Sequence, residues 1–355
     1  VAAKGGGARG GDRRIPVAVL GATGAVGQRF VSLLDGHPWF RPMALCASDR
    51  SAGRRYGDVV RWILEAPIPE WARAMKVSPC RSGIDARLAF SGLDAQVAGE
   101  IEAEFAAAGH GVVSNSRNHR MDPDVPLLVA EINHGHIDLL HAQKGRFPKG
   151  GFIVTNPNCS TVGLVTALAP IQWAFGVRQV VSATLQAVSG AGYPGVSSVD
   201  ILDNVIPHIG GEEEKMESES RKILGESGRP AEFTVSAHCH RVHVSDGHTL
   251  ALSVGTGRPA TPEQATEALR GFRSGLEDLG LPSLPERPIV VRDETDRPQP
   301  RFDRMAGGGM SVTVGRVRSC PVLDLRLVAL VHNTIRGAAG LAILNAELLQ
   351  AKGML

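Results

Sequence analysis

The chain has 355 residues, with 38 basic against 36 acidic side chains and a formal charge of +2. Hydrophobic residues make up 43% and charged ones 21%, an ordinary globular composition that excludes collagen-like and disordered chains, and the length predicts two domains. Basic residues are interspersed with acidic ones, so the stripe of a nucleic-acid binder is missing, while small anionic substrates need only a few local Arg and Lys.

Residues 1–14, VAAKGGGARGGDRR, lack the apolar stretch of a signal peptide and read as a flexible, weakly basic tail. No run approaches transmembrane length, so no membrane partner is expected. IPVAVL (15–20) predicts a strand, GATGAVG (21–27) a tight turn, and a helix follows from about Ala25 to Leu34. MALCAS (43–48), VVSN (112–115), LLVAEIN (127–133) and GFIVTNPN (151–158) are further buried-strand candidates, with a covering helix over 94–109. This order predicts a parallel sheet. After about 160 the pattern changes. STVGLVTALAPIQWAF (160–175) predicts a helix with an apolar stripe. The runs 177–189, 233–245, 248–256, 310–319 and 323–333 alternate in polarity and predict a largely antiparallel sheet with one wet face. Helices are expected over 212–225 and 261–276, and a long one over 334–352. The fold class is therefore α/β: a Rossmann-type dinucleotide-binding domain plus an α+β catalytic domain with a largely antiparallel sheet.

Five cysteines, at 46, 80, 159, 239 and 320, form no CxxC pair, and their odd count fits a reduced cytoplasmic setting. GATGAVG is a dinucleotide fingerprint. A lone Gly-rich turn is often only a turn, but this one follows a predicted strand and opens a helix. Gly21, Ala22, Thr23, Gly24, Ala25, Val26 and Gly27 are the expected pyrophosphate cradle, helped by the helix dipole. After the second strand comes Ser48-Asp49-Arg50-Ser51. Asp49 alone would favour NAD. Ser48, Arg50 and Ser51, with Arg54 and Arg55 close by, favour the 2′-phosphate of NADP, which is the expected cofactor.

Cys159 stands where the Asn156-Pro157-Asn158 turn opens a helix. A structural thiol is the bland reading, and it suits Cys46, Cys80 and Cys320. Helix N-termini lower a thiol pKa, so Cys159 is the candidate nucleophile. In Arg241-Val-His-Val-Ser-Asp-Gly-His248, Arg241 and His243 share a face if the strand runs on, and His248 follows a turn. His248 is the candidate acid/base partner and Arg241 a carboxylate clamp. The neighbouring His238, Cys239 and His240 alternate faces, so no metal site is expected.

GATGAVGQRF (21–30), SNSRNHRMDPDVPL (114–127), NPNCST (156–161), GEEEKMESES (211–220), RVHVSDGHT (241–249) and HNTIRGAAG (332–340) together resemble the aspartate-semialdehyde dehydrogenase family, in its archaeal and fungal branch. The resemblance runs from about Ile15 to the C-terminus. It implies Cys159 as nucleophile, His248 as acid/base catalyst and Arg241 as carboxylate ligand. Gln186 would orient the acyl intermediate, Glu212 would meet the substrate ammonium, and Arg120 with Lys215 would hold phosphate. Asn158 joins this substrate set. Asn115, Ser189, Gly190 and Asn333 join the cofactor set. Many relatives carry Pro where this chain has His243.

The implied activity is NADPH-dependent reduction of L-aspartyl 4-phosphate to the 4-semialdehyde, as used in making lysine, threonine and methionine. The implied assembly is a homodimer or homotetramer through the catalytic-domain sheet. The expected division is a tail over 1–14, a nucleotide domain over 15–158 completed by 333–355, and a catalytic and dimerisation domain over 159–332. An acyl-CoA reductase of the malonyl-CoA type and an N-acetyl-glutamyl-phosphate reductase share the Cys–His chemistry. From another class, a cofactor-sensing module would keep GATGAVG but has no use for Cys159.

Overall fold

The computed structural model describes residues 13–355. The expected tail lies outside the described residues except for Arg13 and Arg14. Among the described residues, twelve strands form two six-stranded sheets. The first contains β1 (Ile15–Leu20), β2 (Phe40–Ala47), β3 (Val77–Pro79), β4 (Leu88–Ser91), β5 (Gly111–Ser114) and β6 (Phe152–Thr155). Its order is β3-β2-β1-β4-β5-β6 and every pairing is parallel. The order reverses between β1 and β4, which opens a crevice at their carboxyl ends. Helix α1 (Ala25–Leu33) follows β1, and α2 (Ala95–Ala108) follows β4.

The second sheet contains β7 (Val177–Gln186), β8 (Thr234–Arg241), β9 (His248–Thr256), β10 (Ile289–Arg292), β11 (Val312–Ser319) and β12 (Leu325–Val331). Its order is β10-β11-β12-β9-β7-β8. The three inner pairings are antiparallel and the two edge pairings, β10 with β11 and β7 with β8, are parallel. The sheet is therefore mixed. β10 escaped the sequence reading because four residues are too short to show a period.

Helix α3 (Cys159–Phe175) joins the two halves. A stripe was expected, but every residue from Ser160 to Ile171 is buried. The second sheet covers one side, while α4 (Glu212–Leu224) and α5 (Pro262–Arg270) cover others. A helix that is apolar all round belongs in a core. At the C-terminus a π-turn, Ile335–Ala339, leads into α6 (Gly340–Ala351). Ala342, Ile343, Leu344 and Leu348 of α6 pack with Val17, Val19 and Phe30 in the core of the first sheet.

The run 127–133 is not a strand. Only Leu127 bridges Thr155, and Ala130–Asn133 turns into a short helix. The Asn133 side chain accepts from the Val129 N–H at 2.8 Å and donates to the Leu127 carbonyl at 2.9 Å. Such local side-chain bonds replace ladder bonds.

Candidate active site

The Gly-rich turn sits at the carboxyl end of β1. Gly21 has φ +75°, and a Cβ there would lie 2.8 Å from the Gly92 carbonyl oxygen. A Cβ on Gly27 would lie 2.1 Å from the Gly21 oxygen. Both positions exclude a side chain on steric grounds. Gly24 caps α1 with no side-chain bond, which leaves the first amides of the helix for an anion. Thr23, Gly24, Ala25 and Val26 line a cleft of about 620 Å³ with Ser48 and Asp49. Ala22 is fully buried beneath the turn, its N–H bonded to the Cys46 carbonyl at 2.8 Å. The cradle fits a dinucleotide. Arg50 is exposed and Ser51 half-buried beside Ser48. Arg81, which sequence reasoning missed, also lines the cleft and stands 3.6 Å from Asp49.

Strand register gathers the reactive groups at one end of the second sheet. Gln186 ends β7 opposite Arg241, which ends β8, and His248 opens β9 opposite Val331. Cys159 opens α3. The Asn158 side chain caps that helix, accepting from Ser160 N at 2.9 Å and Thr161 N at 3.4 Å. Behind the nucleophile, a Cβ on Gly337 would lie 2.6 Å from Cys159 Cβ, so the π-turn packs bare backbone against it. Cys159 Sγ and His248 Nε2 are 3.2 Å apart. His248 is fully buried, and its Nδ1 accepts the Ala187 N–H at 3.0 Å. A neutral imidazole that accepts at Nδ1 carries its proton on Nε2, facing the sulfur.

The electrostatics differ from the expectation of a thiol lowered by a helix end. Burial, and then the Glu212 carboxylate, push the Cys159 thiol up to about 12, against Arg120, Arg241 and the Ser160 amide. Desolvation outweighs the helix start. Burial, followed by Arg241 and His332, drives His248 down to about 3. Thiol and imidazole therefore rest uncharged in the free protein.

Around them, Arg241 is buried and donates through Nη1 to the Ala187 carbonyl at 2.8 Å. A Cβ on Gly190 would lie 2.8 Å from that Nη1 and 3.0 Å from His248 Cε1, so Gly190 keeps the space between them open. Glu212 accepts from Asn158 Nδ2 at 2.8 and 2.9 Å, from Lys215 Nζ at 2.8 Å and from Gln186 Nε2 at 3.3 Å. Burial opposes its charge, but Lys215, Asn158 and Gln186 hold its carboxyl below the usual range. Arg120 is buried and donates to Glu219 at 2.8 Å and to the Asn115 carbonyl at 2.7 Å, while its Nε has no partner. Asn333 accepts from Gly247 N at 2.9 Å and donates to Ser189 Oγ at 2.8 Å. Asn115 accepts from Asn156 Nδ2 at 2.9 Å at the end of β5.

The structure thus brings together Cys159, His248, Arg241, Gln186, Glu212 and Asn158. β8 stops at Arg241, so His243 lies beyond it, exposed, and does not share its face. Among the described residues no group of three or more His, Cys, Asp or Glu could hold a metal ion, and no helix is long and apolar enough to cross a membrane. Sequence reasoning also missed Glu219 and Lys222, which looked like ordinary helix charges.

Comparison with known proteins shows the family. The family model "Semialdehyde dehydrogenase, NAD binding domain" matches residues 16–140, and "Semialdehyde dehydrogenase, dimerisation domain" matches 168–336. The chain is 50% identical to the aspartate-semialdehyde dehydrogenase of Archaeoglobus fulgidus, over 95% of this chain and 98% of that protein. It is 47% identical to that of Saccharomyces cerevisiae, over 95% and 98%. A solved structure of the Candida albicans enzyme with NADP superposes with a TM-score of 0.89 at 45% identity, covering 96% of this chain and all of that one. With both family models matched and half of its residues identical to a relative over nearly the full length, the chain belongs to the aspartate-semialdehyde dehydrogenase family.

Proposed function

We propose that the protein reduces L-aspartyl 4-phosphate to L-aspartate 4-semialdehyde through a thioester on Cys159. The observation that carries this reading is the 3.2 Å Cys159–His248 contact, with buried Arg241 and buried Glu212 near enough to act on the thiol. Arg241 clamps the substrate carboxylate and Glu212 meets its ammonium, which sets the acyl carbon against Sγ. The ammonium also offsets the Glu212 charge that raises the thiol, so substrate binding favours the thiolate. Sulfur attacks the acyl carbon, the thiol proton passes to the departing phosphate, and that phosphate leaves toward Lys215 and the unpartnered Nε of Arg120. A nicotinamide cofactor held at the Gly21–Gly27 turn would supply hydride to the thioester carbon. The Nε2–H of His248 hydrogen-bonds to the thiohemiacetal oxyanion, whose collapse re-forms the carbonyl and releases the aldehyde and the Cys159 thiolate. Gln186 orients the acyl group. Ser160 and Thr161 spend their amides on the Asn158 cap, so the Cys159 N–H is the amide left at the helix start for the oxyanion.

Reduction of NADP by the protein with aspartate semialdehyde and phosphate, followed by nicotinamide absorbance, tests the reading. Activity that requires coenzyme A in place of phosphate would replace it with an acyl-CoA reductase. Arg241→Lys is expected to raise the KM for semialdehyde strongly with a smaller fall in kcat, because a point charge cannot reproduce the guanidinium fork. An unchanged KM removes the clamp.

For the cofactor, NADP is favoured because Arg81 beside Asp49 offsets the carboxylate that would repel a 2′-phosphate. Ser48, Arg50 and Ser51 supply the remaining partners, and the Candida relative was solved with NADP. Arg50→Ala should raise the KM for NADP much more than that for NAD, measured side by side; equal rises would transfer the role to Asp49 and Arg81. Asn115, Ser189, Gly190 and Asn333 are assigned to the nicotinamide end. The proposed division is 15–158 with 333–355 for the nucleotide and 159–332 for catalysis and self-association. A homodimer or homotetramer is favoured by the outer face of β7, where Val181 and Leu185 are exposed while Val180, Ser182 and Thr184 point inward.

A further inference from the structure

Helix α4 aims one line of charges at the junction of the two halves. Glu212, Lys215, Glu219 and Lys222 recur at three- and four-residue spacing, which stacks them on a single face. The first two belong to the site above. Glu219 is 2% exposed and its carboxylate is divided between two partners. Oε1 accepts from Arg120 Nη1 at 2.8 Å, and Oε2 accepts from the backbone N–H of Asn158 at 2.6 Å. The Nη2 arm of Arg120 is tied to the Asn115 carbonyl. One turn further along α4, Lys222 Nζ donates to the carbonyls of Arg120, Asp122 and Val125 at 2.7, 2.8 and 2.9 Å. Both the side chain and the backbone of Arg120 are therefore held, and its Nε remains as the free donor.

A buried Arg–Glu pair is weak evidence for stability, since apolar replacements of similar volume often serve as well. The second oxygen is the informative one. It binds the amide immediately before the nucleophile, so one rigid carboxylate spans from the anion-holding guanidinium to the start of α3. Charge-assisted bonds of this kind hold both groups in fixed geometry.

We propose that Glu219 is a positioning residue for the phosphate half of the reaction, setting Arg120 at a fixed distance from Cys159. This rests on reading Arg120 as a phosphate ligand. In Glu219→Gln the amide can accept at one end only, and its NH₂ faces a donor at the other, so Arg120 or the Asn158 amide loses its partner. With semialdehyde and NADP saturating and phosphate varied, the KM for phosphate should rise roughly tenfold or more, as for loss of a buried charged bond. The KM for NADP should stay within about twofold, and adding Glu219→Gln to Arg120→Ala should cost little more than Arg120→Ala alone. Glu219→Asp, shorter but charged, should show a smaller rise and is the variant to use if the Gln form does not fold. A phosphate KM at the parent value in folded Gln or Asp protein overturns the proposal, as does an equal rise for phosphate and NADP. If Arg120→Ala itself leaves the phosphate KM unchanged, the reading of Arg120 falls, and this inference with it; if only Arg120→Ala raises it, the inference alone falls.

Discussion

Cys159→Ser should fold, keep its place at the head of α3, and lose turnover by a factor on the order of 10⁴ or more. The substitution is nearly isosteric, and it leaves intact the Asn158 cap and the approach of Gly337. What it removes is the ability to form the thioester. A hydroxyl ionises far less readily than a thiol, and His248 offers no base to help. Its Nδ1 is occupied by the Ala187 amide and its Nε2 already carries the proton. Cys80→Ser and Cys320→Ser should remain close to the parent rate. Alkylation separates reactivity from function. Cys320 receives the Leu323 N–H, which holds its thiol below the usual range, whereas burial holds Cys159 up at about 12. Iodoacetamide should therefore reach Cys320 early without inactivating the protein, and activity should decay with the slower labelling of Cys159. Peptide mapping against residual activity decides this. Turnover in folded Cys159→Ser, or inactivation that follows another cysteine, would end the assignment.

How much of this was legible depends on whether the cause is local. The positive φ of Gly21 and the clash of a Cβ on Gly27 with the Gly21 oxygen both arise within seven residues of chain, so GATGAVG announced its strand, turn and helix, while the Gly92 carbonyl that also crowds Gly21 comes from afar. Cys159 could be placed at a helix start because Asn156-Pro157-Asn158 is a turn and cap signal. β4 is a central strand of four residues, buried on both faces and with no period to read. LLVAEIN had the composition of a strand, but the amide of Asn133 won the backbone. α3 was given a wet face because its surroundings arrive from distant chain. The pKa of Cys159 was misjudged for the same reason: the helix start is local, while the burial and the Glu212 charge that outweigh it are tertiary. Glu212, Gln186, Lys215 and Arg120 came from family resemblance and not from spacing. Arg81 and Glu219 gave no signal, because each is one charge among many until the fold sets it beside Asp49 or between Arg120 and Asn158.

His248→Asn should cut kcat by roughly 10²–10⁴-fold with little change in KM, provided chemistry limits turnover. Asn keeps a polar group beside the sulfur and can still accept from Ala187, so binding survives. It cannot reproduce the Nε2–H that meets the oxyanion of the tetrahedral intermediate, which is the step where that hydrogen acts. The variant also has a stability signature. Burial, with Arg241 and His332, lowers this imidazole from 6.5 to about 3. Above about pH 6.5 neither folded nor unfolded chain is protonated there, and the buried ring incurs no penalty. As pH falls from 6.5 toward 3, the unfolded chain takes up the proton first, so stability is lost through that window. His332, lowered to about 4, and His136, also lowered by burial, contribute in the same direction but are present in both proteins. The difference therefore isolates His248: the melting temperature of the parent should fall more steeply on acidification than that of His248→Asn, while the two curves run parallel above neutrality. A kcat at the parent level in folded His248→Asn removes the role of Nε2–H at the oxyanion. Parallel melting curves down to pH 4 would show instead that burial does not depress this imidazole in the folded protein, and the resting protonation of the pair would have to be redrawn.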